Sequence, residues 1–225
     1  AAPAREPGAS VATAWSRGFG RNVARQNQFN KEVEVARREW PDLDPLVLKS
    51  ILAQETNFVA SATNKYGYAG IAQLGVREAR QVGLATGSSR MRVSKRGVPA
   101  HVDRARDERL VPRLAIPGAA RLLHAKATAL ERGFERYGTP RGDDYWRFVA
   151  AAYNGGEGTV LRALEYAYGK TVPAEIRWED LVRSPDGDVR HSPLYRAIVR
   201  VGMNPRLKYP EISEYARDVV ARARQ

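Results

Sequence analysis

Apolar residues recur at helical spacing in one stretch of this chain after another, and this feature restricts the fold more than any other. The first clear case ends at Pro41 and comprises Phe29, Val33, Ala36 and Trp40. Such spacing places apolar side chains on one face of an amphipathic helix. No stretch alternates apolar and polar residues as a half-buried strand does, and no internal repeat is seen. The sequence therefore predicts a mainly or wholly α-helical fold.

Start signals and apolar faces indicate the other helices. Asp44 can cap a helix and Pro45 suits its first position. We expect that helix to run to about Asn57, with Glu55 in its last turn. The remaining expected helices are Val76–Val82, Ile116–Tyr137, a segment from Asp143 or Asp144 through Tyr153, Val160–Tyr168, Pro193–Val201 and a last one beginning at Pro210.

Composition along the chain indicates one domain with two additions. Residues 1–20 are rich in Ala, Gly, Pro and Ser, as in a flexible arm, and residues 21–225 form the domain. Within it, residues 83–113 lack periodicity and predict a basic insertion. Its basic residues are Arg90, Arg92, Lys95, Arg96, Arg104, Arg106, Arg109 and Arg113. We favour a solvated surface for it, and a contact surface for an anionic substrate is the alternative. Residues 170–192 are either a surface loop or a lid.

The charge balance indicates a polyanionic partner. The chain has 37 Lys and Arg against 25 Asp and Glu, a net charge of +12. Such a surface attracts nucleic acid, an anionic membrane surface or an acidic cell-wall polymer. No apolar run approaches the ~20 residues of a membrane span. Cysteine is absent, and no His, Asp and Glu residues have the spacing of metal ligands, so we expect no metal and no cofactor.

Glu55 is the clearest candidate for a residue that takes part in chemistry. A carboxylate in the last turn of a helix faces the negative end of the helix dipole, and Ile51, Phe58 and Ile71 are expected to desolvate it. Both effects raise the pKa of a carboxyl group. Cleavage of a glycosidic bond needs an acid that is still protonated near neutral pH. For Glu55 taken alone, an ordinary exposed helix-end glutamate is the alternative.

Four short motifs in order resemble the lytic transglycosylase family that includes the soluble murein transglycosylase catalytic domain. The motifs are Glu55-Thr56-Asn57-Phe58, Gly67-Tyr68-Ala69-Gly70-Ile71-Ala72-Gln73, Ala151-Ala152-Tyr153-Asn154-Gly155-Gly156 and Tyr209-Pro210-Glu211-Ile212-Ser213-Glu214-Tyr215. Gly70 follows Glu55 by 15 positions and Gly67 follows it by 12, as in the family. The resemblance covers most of the chain and implies a lysozyme-like helical domain with a substrate groove.

The resemblance also implies roles for the residues around the acid. Glu55 corresponds to the single catalytic acid and base, and Tyr215 to a tyrosine of the last helix that orients it. Tyr153 and Asn154 correspond to the pair that lines the site near the N-acetyl group of the sugar under attack.

Further substrate contacts are implied in the two earlier motifs. Gln73 corresponds to a cleft residue that hydrogen-bonds sugar, and Thr56 keeps the hydroxyl of the usual serine. Gly67 and Gly70 would let the backbone approach the substrate closely. Ala72 replaces a methionine that would pack on a sugar face, a departure that affects the shape of the subsite.

The implied reaction cleaves the bond between N-acetylmuramic acid and N-acetylglucosamine and forms a 1,6-anhydro ring without water. Glycosidases of the two-carboxylate type need a second acid. Asp42, Asp44 and Glu78 are interpreted instead as a turn, a cap and a helix surface. The alternatives are a hydrolytic muramidase acting on the same bond and a non-catalytic cell-wall-binding protein. A nucleic-acid binder is not expected, because the basic residues form no stripe with interleaved aromatics.

These implications extend to partners and location. The expected partner is the glycan strand of peptidoglycan, whose anionic mesh suits the positive charge, and we expect a monomer. The small residues Ala1-Ala2-Pro3-Ala4 are compatible with a removed signal peptide. We expect an exported protein of the periplasm or cell envelope, or a phage virion component acting in the periplasm.

Overall fold

The structure, a computed structural model, describes residue 25 and residues 27–87 and 102–225. The α-helices of these ranges are α1 (Asn30–Glu39), α2 (Pro45–Thr56), α3 (Val76–Gln81), α4 (Pro112–Tyr137), α5 (Gly142–Gly155), α6 (Glu157–Tyr168), α7 (Glu179–Val182), α8 (Pro193–Arg200) and α9 (Pro205–Ala223). Two 3₁₀ helices cover Glu108–Leu110 and Val189–His191. Within the described ranges, β structure is limited to isolated bridges. The predicted mainly α fold is confirmed.

Helix α5 forms the centre of the domain. Five consecutive residues, Phe148 to Ala152, are completely buried, and a helix that is apolar all round must be enclosed by others. Helices α4, α6 and α9 pack around it. The ring of Phe148 contacts Phe134 and Trp178 edge to face, with centroids 5.7 and 5.4 Å apart. Residues 153–155, at the end of α5, are thereby held in a fixed position.

Helix α2 is the second interior helix, and its start agrees with the prediction. The Asp44 carboxylate accepts hydrogen bonds from the backbone N–H groups of Leu46 and Val47, at 2.9 and 3.4 Å. Residues 47–52 are all buried, and α2 packs against α9. Hydrogen bonds also join these helices: Ser50 Oγ donates to the Val219 carbonyl at 2.7 Å, and Arg222 donates to the Ser50 carbonyl at 3.3 Å.

The predicted starts of two long helices are wrong for the same reason. Helix α9 begins at Pro205, five residues before the expected Pro210, and α4 begins at Pro112 rather than Ile116. Each helix has one proline at its first position and another five residues later, Pro117 in α4 and Pro210 in α9. The second proline forfeits one backbone hydrogen bond. Each helix continues through its second proline because the rest of the helix packs against neighbouring helices.

Residues 170–192 pack onto the domain and do not project as a free lid. Trp178, Ile176 and Leu181 are at most 3% exposed. The Tyr168 hydroxyl donates to Asp180 at 2.8 Å, and the Tyr209 hydroxyl donates to the Val182 carbonyl. The segment is therefore a structural element that joins α6 to α8.

The predicted solvated insertion is wrong for Arg109. Arg104 and Arg106 are exposed, but Arg109 is fully buried beside Asp107. Arg113 already lies in α4. Arg90, Arg92, Lys95 and Arg96 lie outside the described residues, as does the expected arm at residues 1–20. No described helix has the length and apolar character required to cross a bilayer.

Candidate active site

Glu55 lies in the last turn of α2, where its side chain is partly buried. Its carboxylate oxygen Oε1 accepts a 2.6 Å hydrogen bond from the hydroxyl of Tyr215 on α9. Tyr215 itself is only 4% exposed. Two helices that are far apart in sequence thus meet at one carboxyl group.

The surroundings of Glu55 change its acidity in the expected direction. Burial raises the pKa of Glu55 from its ordinary value of 4.5 to about 7. The hydrogen bond from Tyr215 acts against this rise because it favours the ionised form, whereas the negative charge of Glu211 adds to it. Ile51, Phe58 and Ile71, the expected desolvating residues, are all buried. A carboxyl group with this pKa can donate a proton near neutral pH and take one back.

The backbone beside Glu55 is strained. In the described residues, the non-glycine residues with positive φ are Asn57, Phe58 and Gln73, with φ of 50°, 63° and 45°. This conformation is unusual for a side chain as large as phenylalanine. Such residues persist where the surrounding structure fixes them, and they concentrate at functional sites. All three lie in the two motifs nearest to Glu55.

The loop of residues 67–74, named here the glycine loop, lies beside the end of α2. Gly70 has a φ of +79° and is buried, and a Cβ atom there would lie 1.7 Å from the carbonyl oxygen of Arg109. Gly67 has a φ of +86° and is buried as well. At Gly70 the backbone of Arg109 requires the absence of a side chain. A close approach of the Gly67 and Gly70 backbone to the substrate stays a prediction.

Thr56 connects α2 to the glycine loop. Its hydroxyl donates to the Ile71 carbonyl at 2.9 Å and accepts from the Val59 N–H at 3.1 Å. These two bonds use the O–H group and one lone pair of the hydroxyl, and the role of Thr56 as a substrate contact stays a prediction. The residue fixes the distance between the acid-bearing helix and the loop.

Gln73 is half-buried at the end of the glycine loop. Its amide nitrogen donates to the Gly70 carbonyl at 3.0 Å and the Ala62 carbonyl at 3.4 Å. Its amide oxygen accepts from Asn64 at 3.3 Å. The side chain that was expected to bind sugar is therefore oriented by the loop itself.

Tyr153 and Asn154 lie near the end of α5. The Tyr153 hydroxyl donates to the Ala72 carbonyl at 3.0 Å, and burial raises the pKa of Tyr153 well above its usual value. The charge of Glu55 contributes to the same rise. The side-chain oxygen of Asn154 is buried and accepts no hydrogen bond from the described part of the chain. An acceptor in this state is suited to an N–H donor of a ligand.

Sequence reasoning missed Arg109, Asp107 and Glu211. Arg109 was hidden among basic residues, and the nearby Asp107 was the only sign that it is paired rather than solvated. Glu211 belongs to a motif that was singled out for its tyrosine. Its carboxylate forms a 2.6 Å ion pair with Lys208, so it influences Glu55 by charge and is not itself a free base.

A helical domain with an interior α2, a central α5 and a partly buried carboxyl group between them has the lysozyme-like fold. Comparison with protein families gives the more specific assignment. The family model described as Transglycosylase SLT domain matches residues 35–174. The chain belongs to this family, whose activity is the lytic-transglycosylase type of peptidoglycan degradation.

Helix α9 lies outside the matched range. The family match ends before α9, so the contact between Tyr215 and Glu55 is an observation on this chain alone. A search of curated proteins found no match.

Proposed function

We propose that this domain cleaves the β-1,4 bond between N-acetylmuramic acid and N-acetylglucosamine of peptidoglycan and leaves a 1,6-anhydro-muramic product. Glu55 is the single acid and base. The observation that carries the proposal is the contact between Tyr215 and Glu55, together with a pKa of about 7 for that carboxyl group. A group with this pKa is divided between its two protonation states at neutral pH, as both steps of the reaction require.

The first step is proton donation by Glu55 to the oxygen that links the two sugars. Because Tyr215 donates to Oε1, the neutral carboxyl group carries its own proton on Oε2. The transferred proton breaks the bond to the leaving sugar, and positive charge develops at the anomeric carbon. The partly exposed position of Glu55 gives the leaving oxygen access to this proton.

The second step closes the ring. The 2-acetamido group of the substrate stabilises the positive centre, and the buried acceptor oxygen of Asn154 suits the N–H of that group. Glu55, now ionised, takes the proton from the C6 hydroxyl, and the C6 oxygen bonds to the anomeric carbon. The proton that Glu55 gave to the leaving group is thereby replaced, and no water is consumed. The Tyr153 hydroxyl, held on Ala72, fixes the wall of the site beside Asn154.

The proposal also covers the binding partner of the protein and its location. Glycan strands of peptidoglycan are the substrate, so the protein acts in the periplasm or cell envelope, as a cellular enzyme or as part of a phage particle. The chain acts as a monomer on an anionic mesh that its charge of +12 favours.

The decisive experiment is digestion of purified peptidoglycan with the products identified by mass spectrometry. Wild type, Glu55→Gln and a control, Glu135→Gln on the exposed face of α4, are compared. We expect 1,6-anhydro muropeptides from wild type and control, and a rate loss of at least ~100-fold in Glu55→Gln. Products with a free reducing end would show a muramidase. Release of no product by any variant would favour a binding protein.

A further inference from the structure

Arg109 and Asp107 form an ion pair in the interior of the domain. Both side chains have no solvent exposure. The Arg109 guanidinium donates from Nε to Asp107 Oδ1 at 2.8 Å and from Nη2 to Oδ2 at 2.6 Å. Removing two charges from water is unfavourable. Well-packed apolar residues in their place often stabilise a fold at least as much as a buried ion pair does. A pair retained in this form suggests a requirement for geometry rather than stability.

The remaining contacts of Arg109 are with the glycine loop. Its Nη1 donates to the carbonyl oxygens of Gly67 and Leu74, at 2.7 and 2.8 Å. These two residues are the first and last of the loop, so one nitrogen joins its ends. The carbonyl of Arg109 lies against Gly70, in the middle of the loop, where no side chain would fit. Arg109 therefore contacts the loop at its start, centre and end.

Other carbonyls of the same loop contact the two helices that carry the proposed site. The Ile71 carbonyl accepts from Thr56, which follows Glu55 on α2. The Ala72 carbonyl accepts from Tyr153 on α5. The loop thus contacts both Arg109 and the two helix ends of the site. Any displacement at Arg109 changes where these two carbonyls meet the helices.

We propose that Arg109, oriented by Asp107, is a positioning residue of the transglycosylase site, acting on the substrate groove through the glycine loop. The inference rests on the proposed function. It requires arginine in particular, because only a planar guanidinium can bind a carboxylate through two nitrogens and two carbonyls through a third. Lysine keeps the charge but cannot make these contacts together.

The experiment compares Arg109→Lys with Arg121→Lys. Arg121 is a matched control because its guanidinium also bonds a backbone carbonyl, of Val82 at 3.0 Å, and a carboxylate, of Glu39 at 2.8 Å. Neither partner belongs to the glycine loop. Steady-state kinetics on solubilised glycan strands are measured at a temperature where thermal melts show all variants folded. We expect kcat/KM of Arg109→Lys to fall ~10-fold or more. The loss resides mainly in KM, since the loop shapes the groove.

A positioning role also predicts that the pH dependence of kcat/KM is the same in Arg109→Lys and wild type. Arg109 bonds to Asp107, Gly67 and Leu74, and not to Tyr215 or Glu211, which influence the pKa of Glu55. The alkaline limb of the pH profile therefore keeps its position. Equal kcat/KM in folded Arg109→Lys and Arg121→Lys would overturn the inference and leave a structural role alone. If Arg109→Lys does not fold, Asp107→Asn is measured in its place, with the same loss expected. Inactive wild type and control would instead reject the proposed function.

Discussion

Glu55 receives opposing influences from its neighbours, and their balance determines when it can act as an acid. Burial and the charge of Glu211 raise its pKa, while the Tyr215 hydroxyl lowers it. A hydrogen bond to an ionised group contributes about 1.5–3 kcal/mol. Tyr215 therefore both orients the carboxyl group and keeps its pKa from rising further, which allows the same group to serve as a base.

Activity is expected to decline as pH rises through about 7, because the proposed reaction begins with a protonated Glu55. In Tyr215→Phe the lowering influence is lost, so the alkaline limb of the pH profile moves to higher pH. The rate at the optimum falls, since the carboxyl group is no longer held. The measurement is the pH dependence of kcat/KM, with Tyr195→Phe on α8 as control. An alkaline limb that stays in place or moves to lower pH would contradict this account.

Individual residues also show where sequence reasoning succeeds. Glu55 and Tyr215 were predicted together because the family resemblance implies which residues contact each other. Spacing in the sequence alone cannot predict contacts between such distant residues. Arg109 was not, because whether an arginine is solvated or buried depends on tertiary contacts with residues 35–42 positions away. The contacts of Thr56 and Gly70 could not be predicted for the same reason. The motif identified them, and only the packed structure shows which groups they contact.

At the scale of elements, the helices were predicted well wherever a cap or an apolar face marks them. Asp44 and Pro45 mark the start of α2, and Gly156, directly after α5, marks the end of that helix. The failures at α4 and α9 come from prolines inside the first two turns. A proline in the sequence is a signal for the start of a helix. Where two prolines lie five residues apart, only the packing of the residues between them shows that the helix begins at the first proline.

The glycine loop gives the element-scale prediction. Gly70→Ala is expected to lower the free energy of unfolding by at least about 3 kcal/mol, because the new Cβ meets the Arg109 carbonyl in a rigid backbone. Gly202→Ala is the matched control. Gly202 has a φ of +78°, almost that of Gly70, but open space around its Cβ direction. It should lose only about 1 kcal/mol from backbone strain. Denaturant unfolding of both variants provides the measurement, and equal losses would contradict the packing argument.

At the scale of the whole molecule, the raised pKa of Glu55, the proposed acid, lowers the stability of the fold at neutral pH. A carboxyl group whose pKa is raised on folding binds its proton more tightly in the folded chain. Both states are protonated below a pH of about 4.5, so no penalty exists there. The penalty grows as pH rises and is complete above a pH of about 7.

Glu55→Gln is therefore expected to be more stable than wild type at about pH 8, by at most about 3 kcal/mol. At about pH 4 the two proteins should unfold at nearly the same denaturant concentration. Urea unfolding at both pH values measures the difference, and Glu135→Gln, on an exposed surface, should show none. A stability difference between wild type and Glu55→Gln that does not change with pH would disprove the linkage.

The hydrogen bond between Glu55 and Tyr215 joins positions that are 160 residues apart. During synthesis on the ribosome, Glu55 is added early and Tyr215 is added late. Throughout that interval the nascent polypeptide has a carboxyl group without the tyrosine that holds it, and α2 lacks the surface of α9 on which it packs. The oriented carboxyl group therefore forms only after Tyr215 has been added and α9 has packed against α2.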